Sequence, residues 1–191
     1  MNQKNTLRKQ VRQSLAGTPT PSLARASQTI CLHLQRHWQD RPLPTHLAVF
    51  AAHGAEIDLS SLHHLLPQSE LLYPLCHAGG ILSFHKVDRF EELAPGMLGI
   101  LEPRPDIHPE IPIGQINCFL CPGLAFGEDG TRLGHGGGYY DRALSRKSPD
   151  STSFGIALAS QIQASVPHDA HDIRVDHIVT EVGIVQSKPS D

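Results

Sequence analysis

The run Gly134-His135-Gly136-Gly137-Gly138 limits the fold most strongly. Four glycines in five positions suit neither a helix nor a strand, because glycine loses more backbone freedom on ordering than any other residue. The run is therefore read as a loop. Upstream, Ile116–Cys121 is a short apolar stretch that reads as a buried strand. Downstream, a helix is expected from about Gly137 to Arg146. A glycine-rich loop between a strand and a helix lets backbone N–H groups approach a phosphate that a side chain would keep away, and the helix start adds its own amides and dipole.

The rest of the chain alternates in the same way. Residues 3–16 read as a helix with Leu7, Val11 and Leu15 on one stripe and Lys4, Arg8 and Arg12 on the next. Gly17, Pro19 and Pro21 are expected to end it, and Ser22 to start a second helix reaching about Trp38. Strands are expected at His46–Ala51, at Glu70–Tyr73 with Pro74 marking its end, and at Ile81–His85. Gly79-Gly80 makes the last two a hairpin. Further strands are expected at Ile116–Cys121, Ser153–Ala159, His177–Thr180 and Gly183–Val185. Short helices are expected near 59–66, 90–93 and 161–166. Residues 103–114 hold four prolines and read as linker. The pattern predicts an α/β fold: three layers, a mainly parallel sheet with helices on both faces, and one antiparallel hairpin. At 191 residues, 1–191 is expected to be a single domain.

Composition excludes some function classes. A net charge of −3 gives no drive toward nucleic acid or an anionic membrane surface. No apolar run approaches the ~18 residues of a membrane span. Met1–Gly17 is polar and basic without an apolar h-region, so a cytoplasmic location is expected. Cys31, Cys76, Cys118 and Cys121 are then expected to be reduced. Cys118 and Cys121 form one C-x-x-C without the second pair of a zinc ribbon, and read as small apolar residues on a strand.

The residues around the glycine run point to chemistry. Arg132 offers a charged fork, and Tyr139-Tyr140-Asp141-Arg142 follows directly. A carboxylate beside phosphate is repulsive unless a divalent cation lies between, so Asp141 suggests Mg²⁺. The run matches neither G-x-x-x-x-G-K-[ST] nor G-x-G-x-x-G, since Tyr139 stands at the last glycine position. By itself a glycine-rich loop is weak evidence, and a flexible structural turn is its alternative reading. The basic stripe is either a solvated face or an anion contact. Glu56, in the glycine-bearing loop after the first strand, is a solvated acid, a cap or a ligand group. The segment His168–His177 is dense in imidazoles and carboxylates. It reads as a solvated loop with one or two functional carboxylates, because H-x-x-H here lacks the glutamate of H-E-x-x-H.

Taken together, Phe126–Arg142, with the core Arg132-Leu-Gly-His-Gly-Gly-Gly-Tyr-Tyr-Asp-Arg142, resembles the signature of the 5-formyltetrahydrofolate cyclo-ligase family. Lys4-x-x-Leu7-Arg8, Gly54-Ala-Glu56-Ile-Asp58, Gly99-Ile-Leu-Glu102-Pro103 and His171-Asp172 with Val175-Asp176 and Thr180-Glu181 resemble further family segments in the same order. The resemblance implies an ATP- and Mg²⁺-dependent ligase. It converts 5-formyltetrahydrofolate to 5,10-methenyltetrahydrofolate with release of ADP and phosphate, through phosphorylation of the formyl oxygen. It implies ATP contacts from Lys4, Arg8, Arg132, Leu133, Gly134, His135, Gly136, Gly137, Gly138, Tyr139 and Tyr140. Folate contacts are implied for Ala51, Glu56, Tyr139 and Tyr140, catalytic roles for Arg132, Tyr140 and Glu56, and Mg²⁺ ligation for Asp141 and Asp172. The expected partners are these two small molecules, with no nucleic acid or membrane and with a monomeric protein. Two other classes fit a similar scaffold: a sugar-phosphate isomerase that uses the cradle without cleaving ATP, and a non-catalytic nucleotide or metal sensor.

Overall fold

Neighbouring residues on the central strands bury their side chains in different cores. Leu47, Leu71, Tyr73, Cys118 and Leu120 enter one apolar cluster, while Ala48, Leu72, Phe119 and Cys121 enter another. This is the period-two alternation of strands covered on both faces. The computed structural model describes residues 3–188. Among them the helices are α1 (Gln3–Ala16), α2 (Thr20–His37), α3 (Leu62–Leu65) and α4 (Tyr139–Leu144). The strands are β1 (His46–Ala48), β2 (Glu70–His77), β3 (Ile81–Lys86), β4 (Ala94–Pro95), β5 (Leu101–Glu102), β6 (Glu110–Ile111), β7 (Cys118–Pro122), β8 (Ala125–Gly127), β9 (Arg132–Leu133), β10 (Thr152–Ile156), β11 (Ile162–Gln163), β12 (His177–Thr180) and β13 (Gly183–Gln186).

The main sheet has eight strands in the order β13-β12-β10-β7-β1-β2-β3-β6. The run β12-β10-β7-β1-β2 is parallel throughout, and β13, β3 and β6 add antiparallel pairs at the two sides. Val11 and Leu15 of α1, Ile30 and Leu34 of α2 and Leu62 of α3 pack on one face. Ala143 and Leu144 of α4 pack on the other. The expected three-layer α/β arrangement and the β2–β3 hairpin are present, and two small sheets, β11-β8-β9 and β4-β5, lie outside the main one.

Several local expectations are corrected. Pro21 does not terminate a helix; it lies in the first turn of α2, where the missing N–H has no helical partner to lose. Pro74 does not end β2. Beyond Leu72, the last β2 residue that β1 pairs, β2 pairs only with β3, and the register continues through Pro74 opposite Phe84. Such a one-sided position tolerates proline. Residues 103–114 are not merely linker, since β6 pairs with β3 there. The helix expected near 161–166 is absent. A 3₁₀ turn spans Ala159–Gln161 and β11 follows, held because the buried Gln161 side chain accepts the Leu158 N–H and donates to the Gly123 and Leu124 carbonyls. α3 and α4 are shorter than expected, and α4 starts after Gly138, whose φ is 66°. Cys118 and Cys121 are buried with all cysteines free, and their side chains enter opposite clusters.

Candidate active site

The chain leaves β1 toward β2 on one side and leaves β7 toward β10 on the other. In a parallel sheet this reversal opens a crevice at the carboxyl ends of the two strands, where α/β folds bind ligands. A cleft of about 1100 Å³ lies there. Phe50, Ala51, His53 and Glu56 line it after β1, and Pro122 and the segment Arg132–Arg142 line it after β7. Lys4 and Arg8 of α1 and Asp169 and Asp172 of the loop before β12 complete one end. Every residue singled out for ATP, folate or Mg²⁺ thus lines one cavity, although the residues come from distant parts of the chain.

At that end the basic stripe is held in place. Arg8 donates from Nε to the Gly134 carbonyl at 2.9 Å, and Arg12 from Nη2 to the His135 carbonyl at 3.4 Å. Lys4 Nζ donates to Asp169 Oδ2 at 2.7 Å and to Asp172 Oδ2. The Lys4 and Asp172 side chains are only 11% and 14% exposed. Burial by itself lowers the Lys4 pKa, but hydrogen bonds and charges from Asp169 and Asp172 outweigh it and hold the ammonium above its usual range. Burial likewise pushes Asp172 up, while Lys4 and the Asp169 N–H pull it further down, so the carboxyl stays below its usual range.

Arg132 forms the second buried pair. Its Nη2 donates to Asp141 Oδ1 at 2.9 Å, with side chains 4% and 17% exposed. The same oxygen accepts the Ile173 N–H at 3.2 Å. The guanidinium lies 5.6 Å from the centre of the Tyr140 ring. Arg132 Nε and the Tyr140 hydroxyl are buried without a hydrogen-bond partner among the described residues. Burial raises the Tyr140 pKa well above its usual range, so this phenol is a neutral donor. Buried polar atoms without a partner are rare, and here both belong to residues that line the cleft.

The other end is apolar. Phe50, Pro74, Leu82 and Ile100 line it together with Glu102 and Cys76. Glu102 is buried, and its carboxylate accepts the Cys76 N–H at 3.4 Å and the Met97 N–H at 3.2 Å. Burial, reinforced by Glu102, pushes the Cys76 thiol up to about 12. Glu56 lines the cleft from the loop after β1. Its Oε2 accepts the His53 N–H at 3.0 Å, and its Oε1 lies 3.2 Å from His135 Nε2 of the glycine loop.

Sequence reasoning missed His135 as the partner of Glu56, Asp169 as the second carboxylate on Lys4, and the apolar wall. Only Asp169 carried a signal, as part of the acid-rich His168–His177 segment. Among the described residues, Asp169, His171 and Asp172 bring ligand atoms within 4.8 Å of one another, whereas Asp141 is engaged by Arg132. No helix among the described residues is long and apolar enough to cross a membrane.

The model of the 5-formyltetrahydrofolate cyclo-ligase family matches residues 1–181. The 5-formyltetrahydrofolate cyclo-ligase of Escherichia coli (strain K12) is 32% identical over 139 residues, covering 70% of this chain and 76% of its own length. The solved 5,10-methenyltetrahydrofolate synthetase of Aquifex aeolicus superposes with a TM-score of 0.81 at 29% identity, over 98% of this chain and 94% of that one. The enzyme of Mycoplasma pneumoniae does so with 0.78 at 25% identity, over 94% and 99%. Sequence match and fold thus agree along nearly the whole chain, cleft included, and the protein belongs to the 5-formyltetrahydrofolate cyclo-ligase family.

Proposed function

We propose that this cleft holds ATP at its charged end and 5-formyltetrahydrofolate at its apolar end, and joins them at Tyr139, Tyr140 and Glu56. The reaction is the family's: 5-formyltetrahydrofolate and ATP give 5,10-methenyltetrahydrofolate, ADP and phosphate. A formamide oxygen is a poor leaving group. Transfer of the γ-phosphoryl group to it makes a leaving group of the carbon–oxygen bond. N10 then attacks the formyl carbon, phosphate departs, and N10 gives up its proton. The meeting of a charged group, in which Lys4, Arg8 and Arg132 stand beside Asp141, Asp169 and Asp172, with apolar side chains in one cavity carries this reading.

Phosphoryl transfer depends on positioning and on stabilising charge. Lys4, Arg8 and Arg132 supply that charge, and Gly134–Gly138 supplies backbone close to the phosphates. The Arg132 guanidinium and Tyr140, both lining the cleft, stand beside the oxygens that carry charge during transfer. Glu56 faces the seam, and its carboxylate stabilises the cationic iminium formed after phosphorylation. Ala51, buried in the segment that follows β1, lets the folate ring lie against backbone.

Asp141 and Asp172 are hard oxygen donors on the same cavity and fit Mg²⁺, which is held through one or two carboxylates plus substrate phosphates. They would hold the ion that arrives with ATP, and the ion would neutralise phosphate charge. Lys4 and Arg132 orient the two carboxylates beforehand, and Lys4 helps hold Asp172 below the usual carboxylate range.

A sugar-phosphate isomerase would need neither this number of cations nor the apolar end, and a nucleotide sensor would bind without turnover. The protein is read as one domain over 1–191, acting as a monomer in the cytoplasm on two small molecules. Mixing it with Mg-ATP and 5-formyltetrahydrofolate should raise the near-ultraviolet absorbance of the methenyl product. Folded protein that binds ATP without that change would sink the cyclo-ligase reading in favour of the sensor.

A further inference from the structure

The geometry points to Arg142 as the positioning residue that sets the glycine loop against the β2–β3 hairpin. The inference rests on the reading that this loop holds ATP. Arg142 lies in the short helix α4 with its side chain turned back over the loop. Its Nε donates to the Gly80 carbonyl at 2.8 Å, and its Nη2 donates to the Gly137 carbonyl. Its guanidinium carbon lies 5.9 Å from the centre of the Tyr139 ring. One planar fork thus ties the hairpin turn, the glycine loop and the first residue of α4.

Two glycines are needed for this fork to fit. A Cβ on Gly80 would fall 1.7 Å from Arg142 Nη2 and 3.1 Å from the Gly137 oxygen. A Cβ on Gly138 would fall 2.9 Å from Nη1. Gly80, in a hairpin turn remote in sequence, is thereby explained by a residue of the loop's own motif.

The consequence for the loop follows from peptide planarity. In a trans peptide the C=O of one residue and the N–H of the next point in opposite directions. Holding the Gly137 carbonyl on Arg142 therefore fixes the direction of the Gly138 N–H, and it occupies a carbonyl dipole that would otherwise repel an anion. A glycine-rich segment left alone samples many conformations. The hairpin has its own ladder from Leu72↔Lys86 to His77↔Ile81, and it bears Pro74, Cys76 and Leu82 on the apolar end of the cleft. The mobile partner of the tie is therefore the loop, and the hairpin is the anchor.

ATP binding in the presence of Mg²⁺, titrated calorimetrically without folate, tests this directly. Arg142→Ala should weaken ATP by ~10–100-fold, the range of a hydrogen bond to a charged group. Its affinity for 5-formyltetrahydrofolate alone should stay within about threefold, since the hairpin keeps its ladder. Arg142→Lys keeps the charge but cannot fork, and should recover only part of the loss. Gly80→Ala displaces the guanidinium from the opposite side and should weaken ATP in the native background. In the Arg142→Ala background it should add only about twofold, because the clash is gone and only backbone strain remains. Wild-type ATP affinity in folded Arg142→Ala would overturn the assignment. So would equal loss of both ligands, or independent multiplication of the Gly80 and Arg142 effects. If Arg142→Ala does not fold, the Lys variant and the Gly80→Ala protein decide the matter by the same titration. Failure of the wild-type protein to bind ATP would instead overturn the underlying reading of the loop.

Discussion

The two ends of the cleft are built on different principles. At the charged end, Lys4 is held by Asp169 and Asp172, and Arg132 is held by Asp141. Each cation is desolvated and already compensated, so it is in place before a ligand arrives. That preorganisation gives catalytic electrostatics their strength, and it also makes removal of one partner expensive. At the apolar end, Phe50, Pro74, Leu82 and Ile100 offer shape and no charge, and the buried carboxylate there, Glu102, is satisfied by backbone N–H groups. The contrast teaches where sensitivity lies. Changes at the charged end should strike turnover, and changes toward the apolar end should strike folate affinity.

The sharpest test is at Asp141. Asp141→Asn retains an oxygen that can accept from Arg132 and the Ile173 N–H but removes the negative charge. Turnover should fall by ~10²–10³-fold, the scale of losing one electrostatic group in an active site. Stability should fall as well, by up to about 3–5 kcal/mol, because the nearly buried guanidinium loses its counter-charge, so turnover is compared at a temperature where the variant is shown to be folded. Near-normal turnover would break the comparison, because the Arg132–Asp141 pair would then be structural. The next effect lies at the seam. Glu56→Gln should raise KM for 5-formyltetrahydrofolate about tenfold, as for a lost charge-assisted contact, with KM for ATP nearly unchanged. Since Glu56 also touches His135 of the glycine loop, equal weakening of ATP would move Glu56 to the charged end.

The charged end was legible in the sequence because its chemistry restricts residue type. Glycines let backbone approach phosphate, cations face it, and Asp141 needs a reason to be near it. The apolar end was not legible, because Leu82 and Ile100 look like any core residue until the fold turns them into a wall. The same limit explains β6 and the missing helix near 161–166. A two-residue strand in a proline-rich stretch exists only because β3 offers Phe84 and His85 as partners, and Gln161 becomes a buried cap only through contacts with Gly123 and Leu124. The abundant histidines are a further case. His85 and His108 are buried, with His85 Nδ1 on the His108 carbonyl and His108 Nδ1 accepting the Arg104 N–H. His177 stacks on Phe154 with ring centres 4.7 Å apart. Buried imidazoles placed for packing and backbone hydrogen bonds carry no local mark that separates them from ligands.

Asp176 provides the smallest expected effect and a control on the contrast. It belongs to the same acid-rich segment as Asp172, but its carboxylate turns to β10, accepting the Ser153 N–H at 2.8 Å and the Ser153 hydroxyl at 2.7 Å, with Lys147 at 3.3 Å. Burial pushes its pKa up, but these donors outweigh burial and hold it below the usual carboxylate range. For a carboxyl depressed in the folded state, the added stability is present above the unfolded pKa of about 3.9 and is lost as pH falls through the folded pKa. The side chain is 48% exposed, so after solvent screening the contribution is ~0.5–1 kcal/mol. Asp176→Asn should lower the urea midpoint at neutral pH and flatten part of its decline below about pH 4, where the native carboxyl takes up its proton. Turnover of folded protein should stay within about twofold of wild type, as for a surface change away from the cleft. A loss of turnover comparable to that of Asp141→Asn, at unchanged stability, would mean that the acids of this segment act together on the ligand, and the separation between Asp172 and Asp176 would fail.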